Sequence, residues 1–140
     1  MKKTQKRLGN KGFSLVELIV VIAIMAVLVG VLAPTLIRNV EKSRESKDAQ
    51  NIDSIKNAIE VALQDEDAYS AAVGNTIVTV ESAAGSTDVS IANSTVSGKM
   101  KETLDTTKTK LASKKYKKSG VKVEFKVDDQ GHVSVVETGL

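Results

Sequence analysis

From residue 18 to residue 37 the chain runs for twenty positions without a charge. No other feature restricts its fold as tightly. As a helix rising about 1.5 Å per residue, this run reaches roughly 30 Å, the thickness of a bilayer's hydrocarbon core. It is apolar on every side, so it belongs in a membrane or in the core of an assembly. A basic leader holding Lys2, Lys3, Lys6, Arg7 and Lys11, with no acid, precedes it. Glu17 stands at the edge of the apolar run. An ionised carboxylate in a membrane costs roughly 3 kcal/mol unless something answers it, so Glu17 calls for a partner.

The stretch Gly12-Phe13-Ser14-Leu15-Val16-Glu17-Leu18-Ile19-Val20-Val21-Ile22-Ala23-Ile24, with Pro34 beyond it, resembles the type IV pilin superfamily and the class III signal of its prepilins and pseudopilins. The resemblance covers about the first forty residues. It combines the leader, the glycine before phenylalanine, the acid four residues on and the apolar helix. It implies that a membrane prepilin peptidase cuts between Gly12 and Phe13 and that the new amine of Phe13 is methylated. It further implies that Glu17 neutralises the N-terminal amine of an adjacent subunit. Glycine at position 12 suits such a cut, because it gives a protease close access to the backbone.

Two blander readings stand beside this one. A basic start followed by an apolar run also outlines a secretory signal peptide or a plain membrane anchor. A signal peptide is cut after its apolar core near small residues, and here Leu32-Ala33 is followed by the obstructing Pro34. Glu17 suits neither alternative, since nothing in a lone anchor is expected to answer it.

The charge balance changes once the leader is set apart. The chain has 20 basic and 17 acidic residues, and five of the basic ones lie in residues 1–12. The remaining chain carries 15 against 17, or −2. The basicity therefore belongs largely to the leader, following the positive-inside tendency, and does not argue for nucleic-acid binding. There are no cysteines, so neither a disulfide nor a thiolate metal site is available. Many pilins of Gram-negative bacteria staple their C-terminal region with a cysteine pair, an option closed here. With few aromatic residues, the core must rest on Val, Ile, Leu and Ala.

The expected fold class is α+β: a long N-terminal helix packed against a small C-terminal antiparallel sheet. Four segments follow: residues 1–12 as a removed leader, 13–37 as the transmembrane or filament-core half of the helix, 38–66 as its amphipathic half, and 67–140 as a β-rich head. In the amphipathic half, Val40, Ile52, Ile55, Ile59, Ala62 and Leu63 recur at helical spacing. Glu41, Lys42, Arg44, Glu45, Lys47 and Asp48 fill the opposite face. The helix is expected to end near residues 64–67, about fifty residues and roughly 75 Å from its start. Pro34 cannot donate to the carbonyl of Gly30, itself a poor helix former. Gly30 and Pro34 thus mark a kink or a stretch that melts when a subunit enters a filament.

In the head, residues 75–81 alternate as a half-buried strand, 83–87 read as a turn or loop, and 88–91 as a short strand. A second helix is expected over residues 97–115, capped by Ser97 and presenting Met100, Leu104 and Leu111 on one face, with Gly120 after its end. Residues 121–127 and 132–136 form a hairpin around Asp128-Asp129-Gln130-Gly131, with Val121, Val123, Phe125 and Val127 facing one side.

The head shows no catalytic constellation, phosphate loop, metal motif or cofactor site, and no enzyme is expected. His132 reads as an exposed strand residue. Asp128 and Asp129 read as turn residues, since two adjacent acids fall short of a calcium cage. Asn93-Ser94-Thr95 matches a glycosylation sequon. Residues 99–126 hold ten lysines against three acids, and residues 41–81 hold nine acids against four basic residues. Such opposite fields favour stacking of neighbours in a filament. Within the basic stretch, Lys114, Lys115, Lys117 and Lys118 form a candidate contact patch. It serves as a solvated helix end, a subunit contact, or a holder of DNA phosphates with Tyr116 against a base.

The resemblance implies a precursor that crosses the cytoplasmic (inner) membrane once and then polymerises into a surface filament. Its partners would be further copies of itself, other pilins, the prepilin peptidase, and the assembly platform with its ATPase. A pseudopilin in a secretion or DNA-uptake machine is the alternative.

Overall fold

The computed structural model describes residues 12–83 and 86–140. Residues 1–11 of the leader and residues 84 and 85 of the expected turn lie outside the described residues. The chain divides into two compact units between Arg38 and Asn39. Helix α1 (Leu15–Ala62) supplies the described helical part of the first unit and opens the second. In the first unit the large apolar side chains from Leu15 to Ile37 are all exposed, as an all-round apolar surface must be when no lipid or partner covers it.

The second unit has a core of its own. The α1 stripe buries Ile52, Ile55, Ala58, Ile59 and Ala62, with Leu63 partly buried beyond the helix end. Val40, expected in this stripe, is 41% exposed instead. Asp48, expected on the polar face, is fully buried. Tightened turn bonds follow α1, from Gln64 N to Val61 O and from Asp65 N to Ala62 O. The chain then enters a separate helix α2 (Glu66–Ala72), not anticipated from the sequence, on the side chain of Asp65, which accepts the Ala68 N–H. Two acids in its first turn favour that start.

Four antiparallel strands complete the α+β fold: β1 (Thr76–Ala83), β2 (Ser86–Ile91), β3 (Lys122–Val127) and β4 (Val133–Thr138), in the order β2-β1-β3-β4. The expected hairpin is present, pairing Lys122 with Thr138 and Val127 with Val133. Its apolar residues Val121, Val123, Phe125 and Val127 are all buried. A register shift between Thr76 and Val78 against β3 places the consecutive residues Ile77 and Val78 both in the core, which a regular strand cannot do. β2 begins earlier than expected. Thr87, assigned from sequence to a turn, is a buried strand residue whose hydroxyl donates to Leu111 O at 3.0 Å and accepts from Leu111 N at 2.8 Å.

The second long helix of the head is shorter than the sequence suggests. Helix α3 (Ser94–Thr103) is capped by Asn93, not Ser97, and ends at Leu104. Asp105 then turns on itself, its carboxylate accepting Thr107 N (3.0 Å) and the Thr107 hydroxyl (2.5 Å). Such local side-chain bonds compete with helix. Residues 104–120 therefore run as turns and extended chain, with Leu111 buried from outside any helix.

Candidate functional site

Ser14 immediately precedes α1, and its carbonyl accepts the Leu18 N–H at 3.2 Å. Its hydroxyl accepts the Glu17 N–H at 3.2 Å, and Oε2 of Glu17 returns to accept the Ser14 N–H at 2.8 Å. This reciprocal pair is a capping box. It corrects the expectation that nothing within one chain answers Glu17. The signature Ser14-x-x-Glu17 stands in the sequence at the spacing a capping box needs. Phe13, the residue before the cap, is 93% exposed. The peptide link between Gly12 and Phe13 lies in non-helical chain before α1.

Further along, Pro34 lies inside α1, and the helix is unbroken across Gly30 and Pro34. The missing N–H of Pro34 leaves the Gly30 carbonyl without its usual donor.

In the head, α1 side chains seize the backbone of residues 110–114. Asn51 Nδ2 donates to Lys110 O at 2.8 Å. Asp48 accepts Ala112 N at 2.7 Å through Oδ1 and Ser113 N at 2.8 Å through Oδ2. Glu41 Oε1 accepts Lys114 N. With Thr87 on the other side, the segment is bonded much as a strand would be, but by side chains. Asp48 is a structural fastening that periodicity conceals: its partners are backbone amides, which leave no sequence pattern.

The lysine patch follows this segment. It is not a helix end, because residues 111–120 form bends and turns. Lys114, Lys117 and Lys118 are exposed. Lys115, also exposed, pairs with Glu137 at 2.9 Å, and its Nζ lies 4.9 Å from the Tyr116 ring centre. Tyr116 is only 6% exposed, and its hydroxyl donates to Glu137 Oε1 at 2.6 Å. A ring so held cannot stack on a base, which removes the DNA arrangement built on Tyr116. Burial pushes the Glu137 carboxyl upward, but bonds from Tyr116 and Lys115 outweigh it and hold the group below its ordinary range.

The remaining candidates resolve locally. Asp128 Oδ1 accepts Gln130 N (2.9 Å) and His132 N (2.7 Å), fastening the β3–β4 turn. Those backbone bonds, that from His132 first, lower its pKa against a smaller effect of burial. His132 precedes β4 rather than lying in a strand, exposed, with Nδ1 3.3 Å from Asp128 Oδ2. Asn93 of the sequon spends its side-chain oxygen on capping α3, accepting Thr95 N and Val96 N.

The fold and the capped apolar helix start define the class: an α+β protein of pilin-like architecture. The model of the prokaryotic N-terminal methylation motif matches residues 7–33. Prepilin peptidase-dependent protein A of Clostridium perfringens (strain 13 / Type A) is 35% identical over 101 residues, covering 71% of this chain and 70% of that protein. No solved structure matches the chain significantly. The chain belongs to the type IV pilin and pseudopilin superfamily. Membership points to a structural rather than an enzymatic role, and the apolar helix with its motif fits a membrane-anchored precursor.

Proposed function

We propose that this protein is a structural subunit of a type IV pilus, held in the cytoplasmic membrane as a precursor and polymerised into a helical surface filament. In this reading prepilin peptidase removes residues 1–12 by cutting between Gly12 and Phe13, and the Phe13 amine is methylated. The 35% identity to a protein named as prepilin peptidase-dependent supports the processing step. The observation that carries the assembly step is the apolar surface of residues 15–37, exposed on all sides in a single chain. Roughly 25 cal/mol is gained per Å² of such surface withdrawn from water, so a chain that leaves the bilayer must bury it against its own kind.

Glu17 is placed to change partners during this process. In the single chain its carboxylate accepts the Ser14 N–H, one residue from the amine that cleavage creates at Phe13. In the filament it turns to the Phe13 amine of a neighbour and sets register. Gly30 and Pro34 supply the stretch of α1 that loosens as the subunit packs, because the helix there already lacks one bond.

The test is mass spectrometry of material sheared from producing cells. A chain beginning at N-methylated Phe13 in the sheared fraction is the expected result. Mature chain confined to the cell envelope would turn the reading to a pseudopilin, and a retained leader would return the protein to a plain anchor.

A further inference from the structure

Two structural rulers within the head place its free charges at opposite ends. The first is α1. Lys110 and Lys114 belong to the segment bonded to Asn51, Asp48 and Glu41, whereas α2 follows the end of α1 at Ala62. Eleven residues of helix, roughly 16 Å, separate Asn51 from Ala62. The second ruler is the β3–β4 hairpin. Its turn carries Asp128 and Asp129. At its open end the loop of Lys117 and Lys118 joins the sheet, with Val121 N bonded to Lys118 O and Lys115 bonded to Glu137 of β4. The six-residue strands set these ends roughly 17 Å apart.

The rulers run the same way. Tyr69 of α2 lies over Gly131 of the hairpin turn, close enough that a Cβ on Gly131 would fall 2.6 Å from its ring. Gly74, just beyond α2, donates its N–H to Val127 O at 3.0 Å. Glu66 and Asp67 therefore share one end of the head with Asp128 and Asp129, and all four are exposed.

Several of the head's other charges are already paired, although Glu45, Asp53, Lys101 and Glu102 also make no ion pair among the described residues. Lys99 is paired with Asp65, Lys122 with Glu81, Lys126 with Glu124 and Lys115 with Glu137. Asp48 is buried on backbone amides, and Glu41 is shared between Lys114 N and Arg44. Among the described residues, Lys110, Lys114, Lys117 and Lys118 have no ion pair at one end. At the other end, Glu66, Asp67 and Asp129 have none, and Asp128 meets only His132.

We propose that the lysine end docks on the acidic end of a second copy of this chain. The occupant is a second copy because the complementary surface is carried by the same molecule, on its opposite end. A contact joining two different surfaces of identical subunits propagates as an open helix unless its rotation closes a ring. It rests on the filament reading and gives that filament a head-to-head-end polarity beyond what the apolar helices dictate. The attraction is between solvent-facing charges, so it steers and orders subunits and weakens with salt.

The experiment compares three full-length chains in producing cells. One is the natural chain. The second carries Lys110→Glu, Lys114→Glu, Lys117→Glu and Lys118→Glu. The third adds Glu66→Lys, Asp67→Lys and Asp129→Lys, swapping the two ends. Sheared material is assayed for mature chain. The lysine-reversed chain should fall about tenfold and the swapped chain should recover most of that loss. Carbodiimide treatment of natural filaments, which joins lysine amines to carboxylates as amides with loss of water, should link the 110–118 lysines of one copy to Glu66, Asp67 or Asp129 of another. Normal yield from the lysine-reversed chain, no recovery on swapping, or links confined to single chains would each overturn the contact. So would normal yield coupled with lost retention of DNA on the filaments, which would assign the lysines to a polyanion instead. Absence of mature natural chain from the sheared fraction would instead sink the filament reading itself.

Discussion

Oδ2 of Asp48 lies 2.8 Å from the backbone nitrogen of Ser113, sixty-five residues further along the chain. Oδ1 of the same carboxylate takes the neighbouring Ala112 N–H. One fully buried side chain thus fixes the segment that carries the lysine loop to the helix that carries the core stripe.

Replacing Asp48 by Ala leaves the buried Ser113 N–H and the part-buried Ala112 N–H unanswered. Each such group costs about 1–3 kcal/mol, so Asp48→Ala should destabilise the head by about 3 kcal/mol. Asp48→Asn, which keeps one acceptor, should cost less. Thermal unfolding of the full chain in detergent, followed by circular dichroism, checks both. An unchanged Tm for Asp48→Ala would remove the carboxylate from the list of structural fastenings.

Acid should loosen the head in a defined window. Glu137, Asp65, Asp105 and Asp128 are all held below their ordinary range. For Asp65 the main cause is the bond from Lys99, and for Asp105 it is the bond from the Thr107 hydroxyl. Groups lowered on folding contribute fully above their unfolded values of about 4 and lose that contribution as pH falls through the folded values. Tm should therefore be level from pH 7 to about 5 and fall below about 4. Glu137→Gln should make the fall shallower. A slope across pH 6 to 8 would point to another group.

Glu17 can be dissected by two substitutions. Glu17→Ala removes both the cap and the charge, whereas Glu17→Gln keeps an oxygen for the Ser14 N–H. Cap loss costs about 1 kcal/mol of helix start. Both variants should still be processed, and both should fail to assemble, because in the proposed filament the neighbour's amine needs the charge. Filaments from Glu17→Gln alone would show that the cap, not the ion pair, is what assembly requires.

Gly12→Phe should leave the leader attached, read as an unprocessed mass in the membrane fraction. The bulky side chain restricts the backbone that the peptidase must grip. Normal processing of this variant would contradict cleavage at this position.

Gly131 has φ of 82°, and an added Cβ would meet the Tyr69 ring at 2.6 Å. Gly131→Ala should therefore lower stability by about 1–2 kcal/mol from the left-handed backbone, with more for moving Tyr69. Tyr69→Ala in the same background should relieve part of the contact cost. Additive losses from the two changes would place Tyr69 away from the turn.

Much of this was legible in the residues. Alternation fixed β3 and β4, because one face of a half-buried strand must be apolar at every second position, and Val121 to Val127 obey that rule. The 3.6-residue period found Ile52, Ile55, Ile59 and Ala62 for the same reason. What escaped were bonds between side chains and distant backbone. Asp48 looked like one more solvated charge, and Thr87 and Leu111 looked like turn and helix. Asp105 and Asn93 moved the ends of α3 through local capping, a short-range signal that the wider apolar pattern of Met100, Leu104 and Leu111 overrode. Tyr116 entered only as one alternative, a ring against a base, because its neighbours are lysines, while its place was set by Glu137, which no spacing rule connects to it.

The fastening of residues 110–114 to α1 also sets an order of events. Asn51, Asp48 and Glu41 meet partners 59 to 73 positions later, and contacts of such long sequence separation form slowly, after their loop-closure entropy has been met. The core around Ile52, Ile55 and Ile59 is complete only when Leu111, Val121, Val123 and Phe125 have joined it. Maturation of the head is therefore a late, concerted closure whose timing belongs to the last third of the polypeptide, although its anchor points were laid down in the first.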